Sequence, residues 1–554
     1  MLFLGKIKSL SEILDGMNGY LFNVTILDTF KDQIYTLAMK IFKWIYGKSK
    51  WIHKFVGLFM ILFLSWSATS GIILNHPELV SGLSVPGWLV PSQYKTENWN
   101  RSSLIKFLFL KNNKGVGFLG GKKGIWKTVD GGKTFEKVGE GYTKSIYYGK
   151  VNDLYLLEEK NVSAKLFAAS FGGLWVCDPI VGKWRKIFPK IGKIEIKKIL
   201  KIDDKLIIFT QSEAYKTDLT SGSFEFIKLD LKKEGVDRAE RVSLVRLFFD
   251  LHGGHIWGTI GRIFFDIIGL VIIFLSIFAF YIWYFPKRWK KRKIKKEKRR
   301  YLVDFFYKYH LKLGIWTALV MIVIGVTALF MRPPFLVLIT RGDVDVSMYP
   351  GSFPDNPWDK KIHNALYLKK TRKILIETTD GMWEGDSDLK GKFKKIRTPV
   401  LVFVMGATVF EEYPEGGYIV GSFNGLFHVQ EDGNAYNMIS GKRVRFVSPV
   451  KPAEQMITGY FRTQDGEEYA TAFKQGLIPL KETKPNRIIG FPEEIKNDNR
   501  LPLWNYMFEL HNGRIFKDLI GDWYILIIPI GSILFLIVIL TGIFDWFYIR
   551  SKKK

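Results

Sequence analysis

The sequence predicts a membrane α-helical bundle of four spans, arranged as two parallel repeats, with an all-β outer domain that forms a six-bladed β-propeller assembled from two insertions. Three observations lead there. Four segments of 19 to 23 residues, at 55–77, 267–286, 313–331 and 523–544, contain no Asp, Glu, Lys or Arg. Each is long enough to cross about 30 Å of hydrocarbon as a helix. The net charge of +29 on 554 residues is concentrated beside those segments. Between them, small turn residues followed by pairs of aromatics nine or ten positions apart recur along the chain.

The charge sets an orientation. Residues 287–312 hold 13 Lys/Arg against Glu297 and Asp304, and with 1–54 and the tail from Asp545 they carry +18 of the +29. A strongly basic chain suggests nucleic acid as a partner, but charge confined to the flanks of apolar spans is a topology signal, and no nucleic-acid partner is expected. The positive-inside rule puts these three stretches in the cytoplasm. The expected setting is a bacterial inner (cytoplasmic) membrane, with the lipid bilayer as partner, both termini cytoplasmic, and the long segments facing outward.

Residues 1–52 have mixed charge and helix-like apolar spacing with no cleavage site, and read as a cytoplasmic amphipathic segment anchored by Trp44, Tyr46 and Trp51. The first transmembrane helix is expected at 53–77, an outer β segment of about three blades at 78–250, and the second helix at 251–286. A basic cytoplasmic loop follows at 287–309, then the third helix at 310–332. A second outer β segment of about three blades occupies 333–508, the fourth helix 509–548, and a basic tail 549–554.

The two halves share one plan. KWIHKFVGLFMILFLSWSATSGIILNHPELV, around His53, resembles YKYHLKLGIWTALVMIVIGVTALFMRPPFLV, around His310; DLHGGHIWGTIGRIFF, around His252, resembles ELHNGRIFKDLIGDWY, around His511. The counterpart of His76 is Pro333 and that of His255 is Arg514. In the outer segments the recurring aromatics are Trp126 with Phe135, Trp175 with Trp184, Tyr215 with Phe224, Trp383 with Phe393 and Phe427 with Tyr436, with Phe461 and Tyr469 as a weaker sixth pair. Each copy reads as short strands joined by tight turns, at the spacing of propeller blades. TVDGGKTF, Thr128–Phe135, is similar to the Asp-box hairpin turn of sialidase-like propellers, with Asp130 expected to bond turn backbone. Three blades alone leave an open edge, so the two segments are expected to share one ring; two separate β domains are the alternative.

The sole cysteine, Cys177, excludes a disulfide framework, a cysteine-ligated cluster and thioether haem attachment. Of eight histidines, six lie at or near span ends. The repeat sets His53 with His310 at one depth and His252 with His511 at the other. Two facing imidazoles at one level of a bundle suit six-coordinate haem iron. His76 and His255 also lie at the outer level and leave that pairing open. Arg262, Arg332 and Arg514 near the outer ends fit haem propionates or lipid headgroups alike. Gly57, Gly71, Gly314, Gly325 and Gly542 suit close packing against either a flat ring or a neighbouring helix.

The motifs IHKFVG, DLHGGHIWGTIG, YHLKLG and ELHNGRIF, each leading into an apolar span, resemble the PepSY-associated transmembrane family, which includes iron-regulated membrane proteins and periplasm-facing ferrisiderophore reductases. The resemblance implies a four-helix bundle holding two b-type haems, with His53 and His310 ligating one near the cytoplasmic face and His252 and His511 one near the outer face. It also implies electron transfer from a cytoplasmic or quinone-side donor to an outer acceptor, such as a ferric complex. The outer segments depart from that family, since blades stand where PepSY domains are usual. A membrane-anchored propeller that binds or assembles a partner without redox activity is the alternative. A transporter is disfavoured because the spans lack a mid-membrane charge to couple an ion. No P-loop, dinucleotide or flavin motif appears, so the donor is external.

Overall fold

A computed structural model describes residues 24–159, 163–220, 223–236, 241–291, 296–449, 451–480, 489–497 and 499–552. The expected amphipathic stretch at 1–23, the middle of the basic loop at 292–295 and the tail residues 553–554 lie outside the described residues. The chain divides into two compact units. One joins the described part of Met1–Ile72 with Leu244–Gly342 and Asp522–Lys554; the other joins Ile73–Ser243 with Asp343–Gly521.

Six helices position the sites: α1 (Val24–Asn75), α2 (Leu244–His252), α3 (Gly258–Lys291), α4 (Lys296–Phe330), α5 (Leu503–His511) and α6 (Ile527–Ser551). Four helical segments, Gln33–Asn75, His255–Trp289, Tyr301–Phe330 and Arg514–Ser551, are long and apolar enough to span a bilayer. Residues 24–52 of the expected amphipathic segment form the first half of α1, continuous with the span. No proline interrupts 24–75, and the helix stops only where Pro77 forces His76 out of the helical region, at φ −128°. The second span likewise overruns its expected end, because α3 continues through Pro286 to Lys291. Of the expected basic loop at 287–309, residues 287–291 belong to α3 and 296–309 to α4. At the start of the second and fourth spans the expected single helices are broken, since α2 and α5 are separate from the spans that follow.

The backbone reproduces the repeat. Both α2 and α5 are nine residues long, and each ends at a left-handed glycine, Gly254 and Gly513, both with φ 74°. One 3-10 turn follows in each copy, His255–Trp257 and Arg514–Phe516. A second positive-φ glycine comes next, Gly258 at 60° and Gly521 at 59°. Only glycine takes these dihedrals at no steric cost. The second copy inserts a four-residue helix, Lys517–Ile520, before Gly521, so the ungapped match of the sequences breaks there.

In the membrane unit α4 packs closely on both α6 and α3, whereas the backbone of α1 stands farther from its neighbours. Side chains close that distance: Tyr46 stacks on Tyr548 with ring centres 4.1 Å apart. Met60, Ile268, Ile272, Ala318, Met321, Phe535 and Ile539 form the buried core.

The second unit is built of six antiparallel sheets whose strands follow in chain order, with short added strands at some edges. In the first insertion the sheets run from Lys106–Leu110 to Glu136–Lys137, from Val151–Leu157 to Trp184–Phe188, and from Lys198–Ile202 to Ile227–Leu229. In the second they run from Ile362–Leu368 to Lys392–Ile396, from Val409–Glu412 to Arg443–Val444, and from Ile457–Arg462 to Gly476–Pro479. No sheet closes on itself into a barrel among the described residues. The first strand of each sheet touches the first strand of the next, and Ile457–Arg462 returns to touch Lys106–Leu110. Apolar clusters fill the spaces between neighbours, such as Phe118, Leu154 and Leu166 between the first two sheets and Leu104, Phe107, Phe461 and Tyr469 between the last and the first.

The two insertions exchange strands. Ser84–Val85, soon after the first span, pairs with Leu501–Pro502, just before α5. Arg241–Ser243, just before α2, pairs with Asp343–Asp345, soon after the third span. Lys232–Lys233 adds a parallel edge to Lys392–Phe393. The insertions thus form one unit, not two β domains. Trp126, Trp175, Tyr215, Trp383 and Phe427 occupy the third strand of their sheets, as one repeating device. The sixth pair does not match them: Phe461 and Tyr469 lie on the first and second strands of a three-stranded sheet, stacked at 5.1 Å.

Asp130 holds the turn expected of it. Its carboxylate accepts from the backbone N–H of Lys133 and Thr134 at 2.9 and 3.0 Å and from the hydroxyls of Thr128 and Thr134 at 2.8 and 2.6 Å. What burial there is raises its pKa, but the hydrogen bonds from Thr134, Thr128 and Lys133 outweigh it and hold the pKa well below the usual carboxylate range. Asp130→Ala is expected to lower the thermal midpoint of the β unit. Because the folded pKa is depressed, the bonds' contribution is present above the unfolded pKa of about 3.9 and fades as pH falls below it. Melting curves of the variant and the parent should converge on acidification. Residues 78–243 expressed alone are expected to lack a cooperative transition, because the strands that complete them lie in the second insertion.

A candidate cofactor slot in the membrane unit

His53 and His310 stand on α1 and α4, each followed one turn later by a glycine, Gly57 and Gly314. Residues four apart share a helix face, so each imidazole has an empty step beside it. The structure brings the two rings together, with centres 6.1 Å apart and planes at 77°. They line a cavity of about 530 Å³ to which all four spans contribute, along with Leu64, Met321, Phe535 and Gly542. That volume is in the range of small-molecule and cofactor sites.

The glycines separate into two kinds. A Cβ at Gly314 would meet nothing within 4 Å, and one at Gly57 would only reach Val538 at 4.0 Å. A Cβ at Gly542 would press on the His53 ring at 2.9 Å, and one at Gly325 on Leu536 at 2.9 Å. Gly57 and Gly314 therefore leave open room, whereas Gly325 and Gly542 allow close contact between neighbouring helices.

The tautomer of His53 follows from its partners. Nδ1 lies 2.9 Å from the carbonyl of Val538, which can only accept, so Nδ1 carries the proton. Thr541 Oγ1, at 3.4 Å, donates its own hydrogen to Ile537 O and is a second acceptor. Nε2 is left with its lone pair, the form in which imidazole binds a metal while its other nitrogen is held by a carbonyl. His310 Nδ1 is buried without a hydrogen-bond partner among the described residues. No group of three or more His, Cys, Asp or Glu side chains there is placed to hold a metal ion. Two nitrogen donors alone suit a metal that brings its other ligands with it.

The outer-level candidates are more dispersed. His252, His255, Arg262 and Arg332 belong to the membrane unit; His76, His511 and Arg514 belong to the β unit. His252 Nδ1 lies 3.0 Å from Thr327 Oγ1, whose hydroxyl donates to Val323 O, repeating the arrangement of His53 with Thr541. His76 faces Glu78 at 3.2 Å. Arg514 pairs with Glu509 at 2.7 Å, and Tyr94 donates to the other oxygen of that carboxylate at 2.8 Å. The charged groups that do line the cavity, Lys50, Lys54, Lys287 and Asp545, escape a reading of the sequence that takes span-end lysines as topology signals. Their signal is the helical spacing of Lys50, His53, Lys54 and Gly57.

Other polar candidates have structural roles. Glu411 pairs with the buried Lys106, and Glu412 accepts from the Lys369 N–H. Asp343 pairs with Arg241 and Asp345 caps a 3-10 turn at Ser347 N. His363 contacts Glu377, and His428 lies against Gly416 O and the Tyr413 ring.

None of the curated proteins matches the chain. Solved structures similar to it include the extracellular domain described as that of a hybrid two component system, BT4673, from B. thetaiotaomicron, 12% identical with a TM-score of 0.34 over 72% of this chain and 34% of that one. The Neurospora crassa Pan2 WD40 domain is 8% identical, with a TM-score of 0.30 over 74% of this chain and 96% of its own. Kluyveromyces lactis Hsv2 is 9% identical, with a TM-score of 0.27 over 68% and 91%. The chain spans about a third of the length of the first of these. Residues 50–367, from the approach to His53 through the first strand of the fourth sheet, match the PepSY-associated TM region, and the chain belongs to that family.

Proposed function

We propose that the chain is a haem-containing electron-transfer protein of the bacterial inner membrane. It takes electrons from a donor on the cytoplasmic or quinone side and passes them to an outer acceptor, a ferric complex, in the manner of a ferric or ferrisiderophore reductase. The observation that carries this reading is the His53–His310 pair flanking an open slot. His53 and His310, with ring centres 6.1 Å apart, would hold a haem iron between their imidazoles. Bound there, a b-type haem supplies a one-electron carrier. The chain's own residues do the rest. Val538 O fixes the His53 tautomer, Gly57 and Gly314 leave room for a flat ring, and the apolar wall keeps water out.

A second haem at the other level is proposed on His252 and His511, with His76 and His255 as the alternative donors. Thr327 orients His252 in support of it. Arg262, Arg332 and Arg514 are retained as propionate partners for that level only. The closed order of six sheets supports a single six-bladed propeller shared by both insertions, and the basic flanks of the spans support cytoplasmic termini with that propeller facing outward. That same ring favours the second reading, a membrane-anchored propeller that binds or assembles a partner and uses the spans as scaffold.

Absorption spectra of protein purified after haem-replete expression separate the two. A Soret band with reducible α and β bands is expected, and its absence removes the electron-transfer reading. His53→Ala or His310→Ala should abolish one haem and leave the other. Gly314→Leu enters open space, so its thermal midpoint should stay within about 2 °C of the parent while the absorbance of that haem is lost. Gly542→Val, whose methyls meet His53, is expected to lower the midpoint by several degrees.

A further inference from the structure

The slot is amphipathic along its length. Beyond the histidine level it is walled by Leu64, Met321, Phe535 and Ile272; eleven residues separate His53 from Leu64, about 16 Å of helix. At the other end all the charged side chains gather: Lys50 and Lys54 from α1, Lys287 from α3 and Asp545 from α6. Three ammonium groups against one carboxylate leave a net of +2. Asp545 offsets part of the lysines' charge, standing close enough to Lys50 for the two to interact. The three lysines also lie over aromatic faces: Lys50 over Tyr46 at 5.9 Å, Lys54 over Phe55 at 5.1 Å and Lys287 over Trp283 at 4.8 Å. All three are exposed, so an incoming ligand can reach them.

We infer that Lys50, Lys54 and Lys287 form a carboxylate clamp at the mouth of the slot, selecting a flat amphipathic ligand that carries two carboxylates on one edge and an apolar body on the other. The inference rests on the haem reading of the same cavity and adds to it the orientation of the ring, with the propionate edge toward the lysines and the apolar edge toward Leu64 and Phe535. A net charge of +2 is neutralised by two propionates. Ammonium groups at an apolar boundary make charge-assisted hydrogen bonds stronger than those in open water. Arg262, Arg332 and Arg514 play no part at this level, because none of them lines the cavity.

The test compares haem with its dimethyl ester, which keeps the ring and the iron and lacks both charges. Full-length apoprotein in detergent is titrated with each and followed at the Soret band. The parent is expected to bind haem at least about tenfold more tightly than the ester. K50Q/K54Q/K287Q should lose that preference, while K43Q/K48Q/K552Q, with the same loss of charge outside the slot, should keep it. Equal affinity of the parent for haem and ester overturns the clamp and leaves the haem reading standing, as does a preference that survives in the slot variant. If the Soret band of neither ligand shifts when the parent apoprotein is added, the haem reading itself falls and the clamp with it. Should the triple variant fail to fold, the parent's comparison of the two ligands still decides.

Discussion

Pairing of each half's outgoing strand with the other half's returning strand is the constraint on which the rest of the β unit depends. Ser84–Val85 has its backbone partners in Leu501–Pro502, and Arg241–Ser243 in Asp343–Asp345. Short strands gain little from their few hydrogen bonds, so these pairs act as registers more than as sources of stability. In each, one strand lies immediately before a nine-residue helix, Arg241–Ser243 before α2 and Leu501–Pro502 before α5. The apolar clusters between sheets then supply the stabilisation, each built from residues of two neighbouring sheets. Neither insertion can complete its core without the other.

In the membrane unit the corresponding constraint is the distance of α1 from its neighbours. Lipid offers no hydrophobic force to draw helices together, so contact is set by side-chain shape and hydrogen bonds. Tyr46 on Tyr548 and His53 on Val538 O hold α1 to α6 at points while the backbones remain apart. A cavity at this position follows from that arrangement. With small residues throughout and close backbones, the same four spans would leave no slot.

Much of this was legible in the sequence. The four spans, the repeat and the pairing of His53 with His310 follow from charge-free runs and one ungapped alignment, because spacing along a helix translates directly into depth. The small antiparallel sheets were legible where a third-strand aromatic marks them, and the pattern failed at Phe461 and Tyr469, where a three-stranded sheet gives the aromatics other places. Helix ends were less readable. α1 takes in residues 24–52 of the amphipathic segment because nothing between Val24 and Asn75 breaks a helix, and α3 runs through Pro286, where a sequence reading stops. The two roles of the glycines, open room at Gly314 and tight contact at Gly542, depend on neighbours from other helices, which no local pattern records.

The cyclic order of the sheets bears on synthesis. The first three sheets are complete once residue 229 has emerged, yet the strand that borders Lys106–Leu110 is Ile457–Arg462, more than 200 residues and two membrane spans later. Until then Lys106–Leu110 and Lys198–Ile202, at the two ends of an open arc, lack the neighbours that will cover them. Exposed edges and apolar faces of this kind recruit other chains. The interval between the two halves is therefore the period in which these faces stand open to other chains, and a pause in translation between the second and third spans would lengthen it.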